Sequence, residues 1–239
     1  MHKKTKLKFK AVIFDMDGVI TNTMPFHFDA WLQVFSAVGI KVNCYDIYCR
    51  EGQGGLSTVR EIYKEHGRRF NLKEARQILS RKEDLFKAIA RVRFVKGVRP
   101  FIRELKRRKF KLGLVTGTSR KEVERILPRR LLRIFDVTIT GNEAKKGKPN
   151  PAPFLKAIRL LKVPPSEAAV IENAPFGIEA AKRANLFCIA LKTSLPKSYL
   201  LKADMVFESF RDLKHRIHFE KNSEKDRKNR RQKETPNLI

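Results

Sequence analysis

Short apolar runs alternate with amphipathic stretches along most of the chain. Runs rich in β-branched residues predict buried strands, and they fall at residues 10–14, 111–115, 168–171 and 186–191, with weaker candidates at 136–140 and 204–207. Apolar positions at helical spacing predict helices at residues 97–109, 151–161, 176–184 and 210–217. Strands that alternate with helices favour right-handed crossovers, so the pattern predicts an α/β fold with a parallel sheet and helices on both faces.

The pattern changes between the first strand and residue 95. Helical spacing recurs at residues 25–38, 56–66 and 73–91, and no good strand candidate interrupts it. This stretch predicts a helical module inserted after the first strand. From residue 220 onward apolar residues become rare and charges of both signs mix, which predicts a disordered tail over residues 220–239.

Basic residues dominate the charge of the 239-residue chain. Lys and Arg number 53 against 25 Asp and Glu, a formal net charge of +28, and most of the excess lies between residues 11 and 219. A charge of this size favours non-specific binding to polyanions and opposes self-association, so we expect a monomer. It does not by itself indicate nucleic acid, because an enzyme that handles phosphates can carry the same excess.

Three cysteines, Cys44, Cys49 and Cys188, form no C-x-x-C pair. Their odd number and their spacing argue against a disulfide framework or a zinc site and favour a reducing cytosol. The apolar run at residues 11–14 is broken by Asp15 and is too short for a signal peptide, and no run approaches the ~20 apolar residues of a membrane span. We therefore expect a cytoplasmic protein without a membrane partner.

Two carboxylates, those of Asp15 and Asp17, directly follow the first predicted strand in a turn that contains Gly18. In parallel sheets, ligands bind beyond the carboxyl ends of the strands, so both side chains can face one site. One can attack phosphorus while the other handles the proton, and a cation would relieve their mutual repulsion. Taken alone, the D-x-D pattern favours a helix cap or an acidic turn.

Three further strand ends carry matching chemistry. Thr-Gly-Thr-Ser at residues 116–119 offers hydroxyl and backbone N–H groups where a helix begins, which is typical of a phosphate cradle. Lys148 can supply a fixed positive charge, and Glu172 and Asn173 offer oxygen ligands of the kind that hard cations prefer. Each feature alone is commonly a cap or a solvated side chain. Their order, each at the end of a strand, instead predicts a phosphoryl-transfer site.

The order of these motifs resembles that of the haloacid dehalogenase superfamily. D-x-D-G, T-G-T-S, G-K-P-x-P and I-E-N-x-x-x-G-I follow one another as in that family, and the resemblance extends from residue 10 to about residue 213. Residues 14–23, with His27 and Trp31, are similar to the branch of β-phosphoglucomutases and sugar-phosphate phosphatases. The resemblance implies a Rossmann-like catalytic core, an inserted helical cap of the C1 type and Mg²⁺ as the cofactor.

The resemblance and the change of pattern together divide the chain. Residues 1–21 and 95–219 are expected to form the catalytic core, residues 22–94 the helical cap, and residues 220–239 a basic tail. The substrate implied for this arrangement is a small phosphorylated metabolite. The cap would close over it to exclude bulk water.

The resemblance also assigns roles to individual residues. Asp15 becomes the nucleophile that forms an aspartyl-phosphate, and Asp17 becomes the general acid and base. Thr116 holds phosphoryl oxygens and Lys148 balances charge. The candidates for contact with substrate are Gly117, Thr118, His27, Gly54, Gly55 and Lys82. For His27 and Lys82, a structural or solvated side chain is an equal alternative.

The ligands that the resemblance implies for Mg²⁺ include one departure from the family. Asp15, the backbone carbonyl of Asp17 and the side chain of Asn173 would hold the ion, with Glu172 close by. The family usually has aspartate at the position of Asn173. Asparagine keeps an oxygen ligand but removes a charge, so we expect weaker binding of Mg²⁺.

A second departure lies in the predicted cap. Glu-Gly-Gln-Gly-Gly at residues 51–55 resembles the substrate-specificity loop, but the arginine that grips the distal phosphate in the mutase falls on Gly55, and Arg50 is offset. A mutase must hold its bisphosphate at both ends, whereas a phosphatase needs one. The sequence therefore favours a Mg²⁺-dependent sugar-phosphate phosphatase. A phosphomutase of the same family is the alternative, and a polyanion-binding protein on this fold is the third hypothesis.

Overall fold

A central parallel sheet organises the computed structural model, which describes residues 4–221 except 142 and 145. The sheet has the order β4-β3-β2-β5-β6-β7, and a separate two-stranded sheet pairs β1 with β8. The strands are β1 (Thr5–Phe9), β2 (Ala11–Phe14), β3 (Lys111–Val115), β4 (Val137–Ile139), β5 (Ala168–Glu172), β6 (Phe187–Leu191), β7 (Met205–Phe207) and β8 (Ile217–Lys221). The predicted α/β fold with a parallel sheet is confirmed.

Helices cover both faces of the larger sheet. They are α1 (Met24–Ser36), α2 (Cys44–Tyr48), α3 (Gly55–Glu65), α4 (Leu72–Ile89), α5 (Val98–Arg107), α6 (Arg120–Ile126), α7 (Arg129–Leu132), α8 (Ala152–Leu161), α9 (Pro175–Arg183) and α10 (Phe210–Arg216). Helices α5, α6, α7 and α10 share one apolar cluster, and α8 and α9 share another across the sheet. The chain reverses its direction along the sheet after β4, so right-handed crossovers place α8 and α9 on the opposite face.

Two helices, α2 and α7, are absent from the sequence-based prediction, and α6 was predicted only by its start after residues 116–119. The three contain five, four and seven residues, which is too short for a helical period to stand out. Within the described part of the chain, no helix has the length and apolar character needed to cross a membrane.

The position of β2 explains how one site can form from distant parts of the chain. This strand is fully buried in the centre of the sheet, as its uninterrupted apolar sequence predicts. Phe14 at its end pairs with Leu114 of β3 on one side and with Ile171 of β5 on the other. The three strands therefore end at the same level, and the residues that follow them meet at one edge.

Helices α1–α4, here called the helical cluster, pack around an apolar centre of their own. Two chain segments join the cluster to the sheet and run side by side. The Asn22 N–H donates to the Arg93 carbonyl at 2.7 Å, and the Val95 N–H donates to the Ile20 carbonyl at 2.9 Å. The expected boundaries of a cap at residues 22 and 94 stay a prediction.

The small sheet of β1 and β8 corrects one part of the sequence-based division. Lysines alternate with Leu7 and Phe9 in β1, and they hide the two-residue period that buries Phe9. Strand β8 includes Glu220 and Lys221, which the sequence assigned to a disordered tail. Those two residues pair with β1 instead, because Ile217 and Phe219 of the same strand are buried. The rest of the predicted tail, residues 222–239, lies outside the described residues.

Candidate active site

Asp15 lies at the end of β2 with its side chain almost completely buried. Its Oδ1 accepts a hydrogen bond from Lys148 Nζ at 2.6 Å, whereas its Oδ2 has no partner among the described residues. Burial raises the pKa of Asp15 well above its ordinary value; Lys148 opposes this rise, while Glu172 and Asp17 add to it. A further positive charge at this place would favour the ionised carboxylate that a nucleophile needs.

Lys148 is a buried cation between two carboxylates. Its Nζ donates to Asp15 Oδ1 and, at 2.5 Å, to Glu172 Oε1. Burial alone would lower the pKa of Lys148, but the two carboxylates raise it above its ordinary value, so the side chain stays charged. Glu172 Oε2 accepts the backbone N–H groups of the next two residues at 2.9 and 3.4 Å. Both oxygens of Glu172 are therefore engaged in holding the lysine and the local backbone.

Asp17 has no exposed surface, and three side chains surround its carboxylate. Thr23 Oγ1 donates to Oδ1, His27 Nε2 lies 3.3 Å from the same oxygen, and Thr118 Oγ1 donates to Oδ2 at 2.8 Å. Burial alone would raise the pKa of Asp17, but His27 and the two hydroxyl donors lower it to about 2. In this arrangement Asp17 is an ionised carboxylate that can accept a proton.

His27 and Lys82 extend this network into the helical cluster. Lys82 Nζ lies 3.0 Å from His27 Nδ1. Because an ammonium group can only donate, Nδ1 accepts and the imidazole proton resides on Nε2, which donates to Asp17. The His27 ring stacks on Phe86 at 4.1 Å, and Lys82 Nζ lies 5.3 Å from the centre of the Trp31 ring. These contacts hold both side chains in place. Lys82 in the helical cluster is thus linked through His27 to the Asp17 carboxylate after β2.

The loop after β3 brings hydroxyl and amide groups to the same edge. Thr116 is buried, and its Oγ1 accepts the backbone N–H of Thr118 at 3.1 Å. The Gly117 N–H has no hydrogen-bond partner within the described part of the chain. Ser119 then caps α6 by accepting the Glu122 N–H. A hydroxyl and an available N–H at a helix start are groups that bind phosphoryl oxygens.

The site also offers oxygen atoms that suit a hard cation. Asp15 Oδ2 and Asn173 Oδ1 are buried and lack a hydrogen-bond partner among the described residues. Asn173 holds that orientation because its Nδ2 donates to Ser194 Oγ at 3.0 Å. No group of three or more His, Cys, Asp or Glu side chains in the described ranges could hold a metal by itself. The donors at hand are thus the oxygens of Asp15 and Asn173 with the predicted Asp17 carbonyl, a set that Mg²⁺ accepts.

The loop between α2 and α3 lies directly against the loop after β3. A Cβ at Gly52 would lie 2.5 Å from Lys148 Cδ, and a Cβ at Gly117 would lie 3.0 Å from the Gly52 carbonyl oxygen. Gly52 also has a φ of +81°, a conformation that favours glycine. The helical cluster is therefore closed on the sheet, and no larger residue at position 52 permits the same approach.

A cavity of about 120 Å³ lies between the helical cluster and the loop after β3. It extends from Lys82 to Gly117 and Thr118 but does not reach Asp15. Three acidic side chains contribute to its walls, those of Glu51, Glu83 and Glu122. Arg50 also lines the cavity, but its guanidinium is engaged by Glu61, Glu65 and the Asp46 carbonyl. Glu122 is likewise paired with Arg125 at 2.9 Å, so charged side chains of both signs line the cavity and several of them are already paired.

The two glycines predicted to contact substrate differ in position. Gly55 lines the cavity, and a Cβ there would lie 2.4 Å from Leu79 Cδ1, so a side chain at this position would require Leu79 to move. Gly54 is exposed and precedes α3; it lines a separate cleft of about 550 Å³ together with Gly117 and Lys148. The structure thus brings Gly55, His27, Lys82, Gly117 and Thr118 to one cavity and leaves Gly54 outside it.

Two residues of this site received no role from the sequence: Thr23 donates to Asp17, and Ser194 orients Asn173. Glu51 was predicted only as part of the loop at residues 51–55, and it lines the cavity. Ser194 follows β6 at the carboxyl edge of the sheet, so the strand-end rule could have found it. The positions of Thr23 and Glu51 depend on the closure of the helical cluster, which no local pattern reports.

Comparisons with known proteins agree with this fold and motif order. The model of the haloacid dehalogenase-like hydrolases matches residues 9–185. The phosphorylated carbohydrates phosphatase of Thermotoga maritima is 32% identical over 182 residues, which is 74% of this chain and 82% of that protein. The β-phosphoglucomutase of Bacillus subtilis is 32% identical over 215 residues, covering 85% of this chain and 91% of that protein.

A solved structure gives the same result in three dimensions. The crystal structure of CbbY from Rhodobacter sphaeroides in complex with phosphate matches with a TM-score of 0.71 at 27% identity, covering 86% of this chain and 96% of that one. The fold, the order of the motifs and the sequence similarity together show that the protein is an enzyme of a hydrolase family. The chain belongs to the haloacid dehalogenase-like hydrolases.

Proposed function

We propose that the protein is a Mg²⁺-dependent phosphatase that hydrolyses a small phosphorylated metabolite, a sugar phosphate, through an aspartyl-phosphate on Asp15. The observation that carries the proposal is the environment of Asp15. Lys148 holds one of its oxygens, and the other is buried without a partner among the described residues. Similarity to a phosphorylated carbohydrates phosphatase supports the class of substrate.

In the first half-reaction, an oxygen of Asp15 attacks phosphorus. The bond between Asp15 and phosphorus forms while the bond from phosphorus to the ester oxygen breaks, and Asp17 gives its proton to that oxygen. Thr116 Oγ1 and the Gly117 N–H bind the phosphoryl oxygens, and Lys148 offsets their charge. A substrate phosphate near Asp17 disfavours the ionised carboxylate and so raises its pKa, which supplies the protonated form.

In the second half-reaction, water attacks phosphorus and gives a proton to Asp17. The bond between Asp15 and phosphorus breaks, and free phosphate leaves. Thr23 and His27 orient the Asp17 carboxylate for this step, and Lys82 fixes the imidazole tautomer that donates to it. One residue therefore acts first as the acid and then as the base.

The helical cluster acts as a cap in this proposal. The cavity of about 120 Å³ is smaller than the ~300–1,000 Å³ of typical small-molecule sites. The cleft of about 550 Å³ beside Lys148 and Gly117 does not reach Asp15 either, so we expect substrate entry to need the loop around Gly52 to move away from these two residues. The paired segments at residues 20–22 and 93–95 are the places where the cap can hinge. Closure then excludes bulk water from the aspartyl-phosphate.

A phosphomutase is the second candidate, because the chain is also similar to a β-phosphoglucomutase. Such an enzyme needs a cationic group that holds the second phosphate of its intermediate. Position 55 is a glycine packed on Leu79, and Arg50 is engaged by carboxylates. A charge-assisted hydrogen bond contributes ~1.5–3 kcal/mol, so its absence weakens a bisphosphate by roughly ten- to a hundredfold. Water then competes successfully for the aspartyl-phosphate.

The experiment that tests the function is a comparison of phosphate release with isomerisation. A panel of hexose, pentose and nucleotide phosphates and phosphoglycolate is incubated with the enzyme and Mg²⁺, and free phosphate is measured. We expect release from at least one sugar phosphate. With β-glucose 1-phosphate and a bisphosphate activator, we expect little glucose 6-phosphate. Efficient isomerisation without phosphate release would instead establish the mutase and make Arg50 the residue to replace next.

A bound Mg²⁺ would supply positive charge against the phosphoryl oxygens, held by Asp15, Asn173 and the Asp17 carbonyl. Replacing Asn173 by Asp adds a charge to this donor set, so we expect Mg²⁺ to bind about tenfold more tightly; changes outside the ligand shell alone alter metal affinity by ~10–100-fold. Calorimetric titration of Mg²⁺ measures the affinity without substrate. Asn71→Asp, at the exposed start of α4, is the matched control and should leave it unchanged. If the two variants bind Mg²⁺ with equal affinity, Asn173 is not a ligand of the ion.

A further inference from the structure

Helix α5 presents a row of arginines to solvent. Arg99, Arg103 and Arg107 are all exposed, whereas Val98, Phe101, Ile102 and Leu105 of the same helix are buried in the core. The three arginines are spaced four residues apart. Because an α-helix rises 1.5 Å per residue, their side chains start about 6 Å apart along one line. Helix α5 packs on the face of the sheet opposite to α8 and α9.

Within the described ranges none of the three arginines forms an ion pair, although Arg107 is among the cations that lower the pKa of Glu104. Arg99 lies 5.1 Å from the centre of the Phe94 ring. Glu104, the acidic residue of α5, is already bound by Lys214 at 2.6 Å and by Arg108 at 3.8 Å. Like charges four residues apart destabilise a helix, so the row opposes the stability of α5.

Further unpaired basic residues flank the row. Several exposed basic residues of this region form no ion pair among the described residues, and nine of them are here called the arginine face: Arg91, Arg93, Lys96, Arg99, Arg103, Arg107, Arg129, Arg130 and Arg133. Arg129 and Arg133 line a groove of about 300 Å³ together with Glu124 and Leu132. Residues 91–136 contain 16 Lys and Arg against 4 Asp and Glu, which is +12 of the formal net charge of +28.

The opposite face of the sheet is different. There Lys182 pairs with Asp204 at 2.6 Å, and Arg183 and Lys202 both pair with Glu179, at 2.6 and 3.7 Å. The excess charge is therefore denser over residues 91–136, which carry +12 of the +28 within 46 of the 239 residues, than over the rest of the chain. A single-sign surface of this kind attracts an extended partner of opposite charge.

We propose that the arginine face binds the phosphate backbone of a nucleic acid duplex, without recognition of base sequence. Arginine is suited to this contact because its planar fork binds two phosphate oxygens at once. A membrane is the poorer partner, since Val92 is the one large exposed apolar side chain near this face among the described residues, and surface helices insert apolar side chains. No exposed aromatic residue of the described chain lies there to stack on unpaired bases, which favours a duplex over a single strand.

The salt dependence of binding tests the proposal. Anisotropy of a short labelled duplex of random sequence is measured with the full-length protein at several salt concentrations. The variant R99Q/R103Q/R107Q should have a slope of log K against log salt that is shallower by about 2.7, because each neutralised phosphate contributes ~0.9. Over a fourfold rise in salt the wild-type protein then loses roughly 40-fold more affinity than the variant.

The matched control removes the same charge elsewhere. K64Q/K73Q/R76Q changes three exposed residues of the helical cluster that have no ion pair among the described residues, and its slope should stay close to that of the wild type. Equal slopes in the two triple variants would overturn the proposal, as would equal or tighter binding of the wild type to anionic vesicles. Phosphate release should be unaffected by the arginine changes. If the triple variant does not fold, Arg103→Gln alone should lower the slope by about 0.9, and an unchanged slope would count against the proposal.

Discussion

Replacing Asp15 by asparagine is expected to abolish phosphate release while the fold is retained. The amide cannot attack phosphorus as a carboxylate does, and no other carboxylate of the site is free to replace it. Glu172 is engaged by Lys148 and the backbone, and Asp17 by three donors. Removal of a nucleophile costs on the order of 10⁴–10⁶-fold in rate in other covalent enzymes, so we expect a loss of at least about 10⁴-fold.

The geometry lets this variant remain folded. Asparagine keeps an oxygen that can accept the hydrogen bond of Lys148. The Lys148 ammonium then still has two hydrogen-bond acceptors, the Glu172 carboxylate and the neutral amide oxygen. Thermal unfolding followed by circular dichroism checks the fold, and Asp84→Asn on the exposed surface of α4 is the matched control for the same chemical change. Rapid quenching of the wild-type reaction should yield a phosphorylated peptide that contains Asp15. A folded Asp15→Asn protein with substantial activity would exclude the proposed nucleophile.

Much of this site could be predicted from the sequence, because functional residues of a parallel sheet lie just beyond the carboxyl ends of its strands. Strands β2, β3 and β5 are short, apolar and therefore recognisable, and chemically active residues follow each of them directly. The parallel register then requires those residues to meet at one edge. Asp17 and Thr118 are hydrogen-bonded in the structure for this reason, whereas Lys148 reaches Asp15 from the loop between β4 and α8.

Other features depend on contacts between distant segments and carry no local signal. The pairing of β1 with β8 joins the two ends of the described chain, and the lysines of β1 mask its period. Arg50 is the arginine nearest in sequence to Gly55, where the resemblance places the arginine that binds the distal phosphate. Its ion pairs with Glu61 and Glu65 form only because α2 and α3 pack together, so the sequence does not predict them. The set of charged residues around the cavity arises in the same way, because its three glutamates come from separate elements.

The engagement of Glu172 changes the interpretation of the metal site. The resemblance placed this residue close to Mg²⁺, but its two oxygens hold Lys148 and the backbone that follows β5. Its contribution is then to fix the ammonium beside Asp15. Asn173 is then the residue after β5 whose side-chain oxygen is available to a cation. We therefore expect its lack of charge to lower the affinity for Mg²⁺.

Asp17→Asn is expected to slow steady-state turnover by ~10²–10⁴-fold, the usual contribution of a general acid and base. Asparagine can accept the hydrogen bond of Thr23 through its oxygen and donate to Thr118 through its amide nitrogen, but it can neither give a proton to the leaving oxygen nor take one from water. The two half-reactions separate these roles. A sugar phosphate needs the proton in the first step, whereas an aryl phosphate with an acidic phenol as leaving group does not.

The variant should therefore form the aspartyl-phosphate from an aryl phosphate at a near-normal rate and then hydrolyse it slowly. We expect a burst of phenol equal to the enzyme concentration, followed by slow turnover, and no burst of sugar from a sugar phosphate. His27→Gln is the informative companion, because it perturbs one contact of Asp17 while the carboxylate remains, and it should lower the rate much less. A variant that hydrolyses both substrates at the normal rate would show that Asp17, despite its three donors and its pKa of about 2, transfers no proton in the reaction.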